Sequence, residues 1–242
     1  MFSLNTQRPR VKGASILAIG FVFALCAPWL LVAAANLMPD KTFVALFDDS
    51  VSNWLIQNAT ETFDIAFRFL SLFGGWVLVG VVAAAVVRLS LRKRMPQLAI
   101  FLVGTAGAVG LNLLLAFTFR RAHPVEATEF SSVAQAVNFP SGHAMLSLVI
   151  YGMLAFFCLQ SVRLSKTRKT ISVVGVAVLV VLISVARVYL AVHSVSDVVL
   201  GVVAGAAWLS TCIVASPAVA ALFVRAKLTP SSGVRIVQPL AS

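Results

Sequence analysis

Three residues that can take part in chemistry interrupt one of the most hydrophobic parts of the sequence: Arg187, His193 and Asp197. Such side chains are costly beside lipid and are usually retained for a function. If residues 187–197 form a helix, His193 and Asp197 lie four positions apart on one face. The carboxylate would then orient the imidazole and stabilise its positive charge, an arrangement suited to nucleophilic or acid–base catalysis.

A second group of this kind is Pro140-Ser141-Gly142-His143, which is predicted to open a helix. A helix start has free backbone N–H groups, and its dipole favours an anion; Ser141 adds a hydroxyl and Gly142 permits close approach to the backbone. Residues 140–143, named here the 140–143 turn, are therefore a candidate phosphate site. An ordinary capping turn with an interfacial histidine is the alternative interpretation.

Together the two groups form a set suited to phosphoryl transfer. Arg187 and the 140–143 turn would hold phosphate oxygens, and His193 would attack phosphorus with support from Asp197. His143 would protonate the leaving oxygen. Taken singly, the group at 187–197 also fits a snorkelling arginine, an interfacial histidine and an aspartate that caps the next helix.

The elements that must position these residues are transmembrane helices. The chain has 242 residues, of which 60% are hydrophobic and 11% charged, more apolar surface than a soluble core of this size can bury. A spanning helix needs about 20 residues. Six runs of near-spanning length predict an all-α integral membrane protein with six transmembrane helices, at residues 14–38, 66–91, 98–118, 143–161, 171–193 and 197–224.

The charges fall on two sides of this arrangement. Most of the 19 basic residues lie in the terminal segments and in the connections after the second and fourth spans, which predicts cytoplasmic N and C termini. All 8 acidic residues lie on the other side, as do the three histidines, His123, His143 and His193. The active site is thus expected at the outer, periplasmic face of a bacterial inner membrane. Short juxtamembrane basic clusters argue against a nucleic-acid partner.

The remaining features concern packing and boundaries. Residues 1–227 are expected to form one membrane domain, followed by a disordered cytoplasmic tail at 228–242. We expect the first run to be a retained helix, although its basic leader and small residues also fit a cleaved signal peptide. Residues 43–55 have the spacing of an interfacial amphipathic helix, either a cover or a lip over an entrance from the lipid. Gly201 and Gly205 are expected to serve helix packing.

The spacing of the two groups resembles a known family. Pro140-Ser141-Gly142-His143, followed by Arg187, five residues, His193, three residues and Asp197, is similar to the second and third signature motifs of the type 2 phosphatidic acid phosphatase superfamily of membrane lipid phosphatases. The resemblance covers about 111–205. It implies that His193 is the nucleophile that forms a phosphohistidine, that Asp197 is its partner and that His143 is the general acid. Arg187, Ser141 and Gly142 would hold the phosphate, with no metal or other cofactor.

The first signature motif departs from the family pattern of Lys, six residues, Arg and Pro. Alignment on Pro124 places Ala116 at the lysine position and His123 at the arginine position, while Asn112 and Arg121 match many members. Charge-assisted phosphate contacts can each contribute a few kcal/mol in the transition state, so reduced activity or an unusual substrate is expected. Arg121 and a protonated His123 would partly compensate as phosphate ligands.

Three functions remain open on the sequence alone. The expected one is a metal-independent phosphatase that hydrolyses the phosphate or diphosphate headgroup of a membrane lipid. The second is a phosphotransferase that passes the group from His193 to the hydroxyl of another lipid, since related transferases tolerate a lost first motif. The third is a lipid-phosphate-binding protein without turnover, although the intact His143, His193 and Asp197 argue against it.

Overall fold

Helices account for all regular structure in the part of the chain that the computed structural model describes, which is residues 15–24, 26–27, 42–119 and 140–228. The predicted all-α fold class is therefore confirmed. In chain order the helices are α1 (Ser15–Ala24), α2 (Thr42–Gln57), α3 (Glu61–Leu72), α4 (Trp76–Leu91), α5 (Met95–Phe119), α6 (Gly142–Gln160), α7 (Lys166–Tyr189) and α8 (Val195–Leu228).

Five helical segments among the described residues are long and apolar enough to cross a membrane. They are Glu61–Leu91, Met95–Thr118, Gly142–Gln160, Lys166–Tyr189 and Val195–Val224, and they correspond to the last five predicted runs. The first predicted run contains α1, a shorter apolar helix. Since residues 28–41 lie outside the described part, the sixth span remains a prediction, as does the retained or cleaved state of the first run.

The segment predicted as one helix over 66–91 is instead two helices, because α3 ends at Leu72 and α4 begins at Trp76. Thr60 caps α3 by accepting a hydrogen bond from the backbone N–H of Phe63 at 3.4 Å. At the break, the hydroxyl of Tyr151 donates to the carbonyl oxygen of Phe73 at 2.7 Å. A carbonyl that leaves a helix within the bilayer needs such a partner, so the break is stabilised by α6.

Helix α6 lies at the centre of the bundle, where it packs against α5, α7 and α8. Side chains from all four helices fill the core, among them the buried residues Phe101, Met145, Ile183 and Trp208. The indole N–H of Trp208 donates to the carbonyl oxygen of Gly104 at 2.8 Å and links α8 to α5. The 140–143 turn, at the start of α6, is therefore held by three neighbouring helices.

Two glycines bring α8 against the start of α6. A Cβ atom at Gly201 would lie 2.7 Å from the carbonyl oxygen of Ser141, and one at Gly205 would lie 3.0 Å from that of Met145. Both distances are too short for a side chain, so the backbones approach as they do only where small residues line an interface. The expected packing role of Gly201 and Gly205 is confirmed, and it bears directly on the 140–143 turn.

Helix α2 is present where an amphipathic helix was predicted, but its orientation has an unexpected feature. Phe47 and Trp54 are 50% and 63% exposed, as suits side chains that face lipid, whereas Asp48 is 8% exposed and points into the protein. Helix α2 packs on α7 and α8. A buried carboxylate requires hydrogen-bond partners, and Asp48 finds them next to the candidate active site.

Candidate active site

The segment from Arg187 to Asp197 is not a continuous helix, so His193 and Asp197 are not brought together as neighbours on one helix face. Helix α7 ends at Tyr189 and α8 begins at Val195. In the intervening turn Ala191 has a positive φ of 52°, and the N–H groups of Val192 and His193 both donate to the carbonyl oxygen of Arg187 at 3.2 Å. These bonds satisfy a helix-terminal carbonyl and direct the chain toward α8.

His193 and Asp197 meet through a capping arrangement at the start of α8. The N–H of Ser194 donates to Oδ2 of Asp197 at 3.1 Å, and the N–H of Asp197 donates to Oγ of Ser194 at 3.2 Å. Nδ1 of His193 lies 4.0 Å from the same Oδ2, and both side chains are buried. Asp197 can therefore cap α8 and face His193 at the same time. Active-site hydrogen bonds commonly shorten to bonding distance when substrate binds.

The 140–143 turn contacts this segment directly. The N–H of Ser141 donates to the carbonyl oxygen of Asp197 at 3.1 Å, and Nδ2 of Asn112 donates to the carbonyl oxygen of Pro140 at 3.1 Å. A Cβ atom at Gly142 would lie 3.0 Å from Oδ1 of Asn112, which explains the glycine. Two motifs that are distant in sequence thus share one site.

The hydroxyl of Ser141 is available for a ligand. Ser141 occupies the N-cap position of α6 but makes no side-chain capping bond. It is fully buried, and its Oγ has no hydrogen-bond partner among the described residues. A buried hydroxyl without a partner is costly, and at a helix start it lies beside free N–H groups that favour an anion. The simple capping interpretation therefore does not account for this residue.

His143 lies against the break between α3 and α4. A Cβ atom at Gly74 would lie 2.9 Å from Cδ2 of His143, and one at Gly75 would lie 3.3 Å from its Nε2. The two glycines make room for the imidazole. A cavity of about 460 Å³ adjoins it, with mainly apolar walls from α3, α4 and α6. Trp76, at its edge, is 82% exposed on the surface that faces lipid.

Arg187 approaches the same region from α7. It lies close enough to His143 for the two side chains to interact electrostatically. Its Nη1 donates to Oγ of Ser71 at 3.0 Å, and Ser71 also lines the cavity. Nε of Arg187 is buried and has no partner among the described residues. The guanidinium group thus retains a donor for a phosphate oxygen.

Sequence reasoning did not assign a role in the site to Ser71, Asn112 or Asp48. Ser71 lies inside an apolar run, where the Gly74-Gly75 pair was the available signal of a helix break. Asn112 stood out only as a match to the family alignment. Asp48 accepts hydrogen bonds from the N–H of Ser196 at 3.0 Å and from its hydroxyl at 2.6 Å, a contact that no local pattern indicates.

Two predicted phosphate ligands, Arg121 and His123, lie outside the described residues. Ala116, which stands at the lysine position of the family motif, is 1% exposed. It follows Asn112 by one helical turn and so lies on the same face of α5 as the residue that contacts the 140–143 turn. Within the described segments, no cluster of three or more histidine, cysteine, aspartate or glutamate side chains has the arrangement of a metal site.

Comparison with known proteins identifies a matching family and a related protein. The family model described as the PAP2 superfamily matches residues 97–220, just over half of the chain. Phosphatidylglycerophosphatase B of Bacillus subtilis (strain 168) is 40% identical over 65 residues, which are 26% of this chain and 32% of that protein. The match thus spans only about a third of the relative's length.

A solved structure shares the fold. It is the crystal structure of the transmembrane PAP2 type phosphatidylglycerolphosphate phosphatase from Bacillus subtilis, which superposes with a TM-score of 0.65 at 19% sequence identity. The superposition covers 91% of this chain and 98% of that one. The two chains therefore share a fold.

Proposed function

The chain belongs to the PAP2 superfamily, and from that premise we propose that it is a membrane lipid phosphatase acting through a phosphohistidine intermediate. One observation supports this proposal above the others. The hydrogen bond from the N–H of Ser141 to the carbonyl oxygen of Asp197, 3.1 Å long, holds a candidate phosphate site against a candidate nucleophile and its acidic partner. Substrate phosphate bound at the 140–143 turn would lie beside His193.

The proposed reaction has two steps. Nδ1 of His193 faces Asp197, so Nε2 is the atom that attacks phosphorus. An N–P bond forms while the P–O bond to the lipid breaks, and His143 donates a proton to the departing lipid oxygen. Water then attacks the phosphorus of the phosphohistidine and gives a proton to His143. The N–P bond breaks, and free phosphate leaves.

The phosphate oxygens would be held by groups from two helices. Arg187 contributes guanidinium donors, and the 140–143 turn contributes the buried hydroxyl of Ser141 and the first N–H groups of α6, beginning at Gly142. Donors placed in advance around developing negative charge are among the largest contributors to catalysis. Arg121 and His123 are proposed as further ligands in place of the lysine and arginine of the family motif.

A lipid substrate fits the surroundings of His143. The adjoining cavity is mainly apolar and opens beside Trp76, on the side of the bundle that faces lipid. A phosphorylated lipid could enter between the α3–α4 break and α6, place its headgroup at Ser141 and leave its chain against apolar side chains such as Leu146. No cofactor is included in this proposal.

The proposed location is a bacterial inner membrane with the site facing the periplasm. Acidic residues such as Asp48 and Asp197 lie at the end of the bundle that contains the site, whereas Arg88, Arg92 and Arg163 line a cavity at the other end. Basic ends of membrane bundles face the cytoplasm. This arrangement supports six spans with both termini cytoplasmic.

Phosphate release from a panel of lipids tests the proposal. The full chain, in detergent micelles with a chelator present, is incubated with phosphatidic acid, phosphatidylglycerol phosphate and a polyprenyl diphosphate, beside His193→Ala. We expect release from at least one lipid by the parent protein and none by the variant. A labelled phosphoryl group should remain on the parent chain after rapid quenching. Transfer to an added lipid alcohol without release would favour the phosphotransferase, and neither reaction with any donor would contradict both.

A further inference from the structure

A second cavity, of about 350 Å³, lies at the end of the bundle opposite the candidate active site. Helix α4 has its first turn beside His143, at the first cavity, and lines this second cavity with its later turns, from Ala85 onward. A smaller cavity of about 270 Å³ adjoins it and shares Arg94, Phe157 and Arg163. The two cavities thus lie toward opposite ends of the bundle.

Four arginines line the second cavity: Arg88, Arg92, Arg94 and Arg163. Arg88 lies in the last turn of α4 and Arg92 and Arg94 in the α4–α5 connection, whereas Arg163 lies in the α6–α7 connection about seventy residues later. The α4–α5 turn brings the first three together, because Lys93 takes a positive φ of 52° and the N–H of Arg94 bonds to the carbonyl oxygen of Leu89 at 2.9 Å. The tertiary fold therefore concentrates guanidinium groups around one space.

The four cations that line this cavity are all arginines. Lys93 of the α4–α5 connection is absent from the lining, as are Lys166, Arg168 and Lys169 of the first turn of α7. A planar guanidinium group binds phosphate through two parallel hydrogen bonds, whereas an ammonium group acts as a compact charge. Four guanidinium groups around one space therefore suit a phosphate group as the ligand.

These arginines have no acidic partner within the described residues. Among the described residues, the acidic ones nearest in sequence are Asp64 before them and Asp197 after them, and both belong to the end of the bundle that contains the candidate active site. Arg94 donates to the side-chain oxygen of Gln97 at 3.3 Å, and no carboxylate in the described part lies within ion-pair distance of the four. Clustered cations of this kind favour an anionic ligand.

The rest of the lining is apolar. Leu89, Leu154, Phe157 and Leu164 form walls between α4 and α6 that a free anion would not require. We propose that this cavity binds an anionic phospholipid of the leaflet opposite the one that presents substrate, with its phosphate on the arginines and the first part of its acyl chains on the apolar walls. Basic pockets between helices at this membrane face suit such headgroups.

Lipid retention by the full chain tests this site. Native mass spectrometry in neutral detergent compares phosphatidylglycerol, phosphatidylcholine and inorganic phosphate as ligands. The variant Arg92→Ala/Arg94→Ala/Arg163→Ala is matched with Lys93→Ala/Lys166→Ala/Lys169→Ala, which removes equal charge from the same end of the bundle. We expect the arginine variant to lose about tenfold or more in affinity for phosphatidylglycerol and the lysine variant to keep the affinity of the parent.

A charge-conserving variant provides a second test in case the arginine-to-alanine variant does not fold. Arg92→Lys/Arg94→Lys/Arg163→Lys retains the charge and the expected orientation in the membrane, and we expect its preference for phosphatidylglycerol over phosphatidylcholine to fall as well. Equal losses in the arginine-to-alanine and lysine-to-alanine variants would overturn the proposal, because diffuse charge would then explain binding. Binding of inorganic phosphate to the cavity as strongly as phosphatidylglycerol would also overturn the proposal, because the apolar walls would then contribute nothing to binding.

A different observation, at the active-site end, concerns Asp48 of α2. Its two carboxylate oxygens accept hydrogen bonds from the N–H and the hydroxyl of Ser196, at 3.0 and 2.6 Å. The hydroxyls of Ser196 and Ser194 lie 3.0 Å apart, and Ser194 exchanges two hydrogen bonds with Asp197. An unbroken chain of polar contacts thus runs from α2 to the carboxylate that faces His193.

We infer that Asp48 is a positioning residue for this carboxylate and, through it, for the nucleophile. The inference rests on the proposed function. A buried carboxylate with two donors fixes the first turn of α8, including the orientation of Ser194, on which the position of Asp197 depends. Asp49, the next residue, carries the same charge but is exposed. The role therefore depends on the contact with Ser196 and not on negative charge near the site.

Kinetics of matched variants test the role of Asp48. We expect Asp48→Ala to lower kcat about tenfold or more with little change in KM, because the substrate-binding groups remain in place while the nucleophile loses its orientation. Asp48→Asn keeps one acceptor for the N–H of Ser196 and should retain part of the rate. Asp49→Ala should match the parent. The loss in Asp48→Ala/Ser196→Ala should be smaller than the product of the single losses.

The possible outcomes distinguish a failure of the positioning role of Asp48 from a failure of the proposed function. A parent protein that hydrolyses no lipid contradicts the proposed function. An active parent with an unchanged kcat in folded Asp48→Ala contradicts the positioning role, even where the melting temperature falls, because stability alone would then explain the contact. Multiplicative losses in the double variant would contradict it too.

Discussion

The closest approach of α8 to the candidate site provides the most specific test of the geometry. A Cβ atom at Gly201 would lie 2.7 Å from the carbonyl oxygen of Ser141, whereas ordinary contacts begin at 3.4 Å. Gly201→Ala must therefore separate the two backbones by about 0.7 Å, since neither atom belongs to a flexible side chain. The Ser141 carbonyl also begins α6, so the whole 140–143 turn shifts relative to His193.

The size of the effect follows from this displacement. A misplacement of about 1 Å can reduce a catalytic rate about 100-fold, so a shift of about 0.7 Å is expected to reduce kcat by roughly tenfold or more. Overpacking of a tight interface also lowers stability by about 1–3 kcal/mol. We expect folded Gly201→Ala to bind lipid substrate but to release phosphate slowly, as measured by initial rates and by the melting temperature in the same detergent.

Other glycines of the chain serve as graded controls. Gly205→Ala places its Cβ 3.0 Å from the carbonyl oxygen of Met145 and should have a smaller effect in the same direction. At Gly80 and Gly175 an added Cβ would meet nothing within 4 Å, so alanine there should leave the rate unchanged. A rate for Gly201→Ala equal to that of Gly175→Ala would refute the argument that this contact positions the 140–143 turn.

Three further predictions concern residues of the proposed substrate site and of the altered first motif. His193→Ala should abolish both phosphate release and labelling of the chain, whereas residual labelling would point to another nucleophile. Arg187→Lys keeps the charge but loses the planar fork, so kcat/KM should fall about tenfold or more; an unchanged value would place Arg187 outside the phosphate site. Ala116→Lys with His123→Arg restores the family motif and should raise turnover, since two cationic ligands return. Unchanged or reduced turnover in that variant would show that this chain does not simply lack those ligands.

Several features of the fold could be predicted from the sequence because they depend on local composition. A run of about 20 apolar residues has few alternatives to a spanning helix, and the five spans in the described residues follow the predicted runs. The spacing from Pro140 to Asp197 identified the family before any contact was known. The Gly201 and Gly205 pair indicated close helix packing, because only small residues permit it.

Other features, such as where a helix ends or breaks, depend on contacts between helices, and the local sequence pattern was not sufficient to predict them. The fifth run was predicted to extend to His193, whereas α7 ends at Tyr189, because apolar periodicity does not mark a turn such as the one at Ala191. The break at Gly74 and Gly75 was missed for the same reason. At this break the carbonyl oxygen of Phe73 accepts a hydrogen bond from Tyr151 of another helix, a partner that lies far away in sequence.

The sequence by itself determined the chemistry and the membrane setting. The types and spacing of His143, Arg187, His193 and Asp197 predict phosphoryl transfer through the family resemblance. Apolar run lengths predict helices, because the bilayer requires backbone groups that are satisfied internally.

Only the tertiary structure decided how these groups meet. The bond from Ser141 to the backbone of Asp197, the burial of Asp48 against Ser196 and the gathering of Arg92 with Arg163 join residues far apart in the chain. Such contacts depend on the shapes of the packed helices, because side chains in a close-packed interior meet only where the backbones allow it.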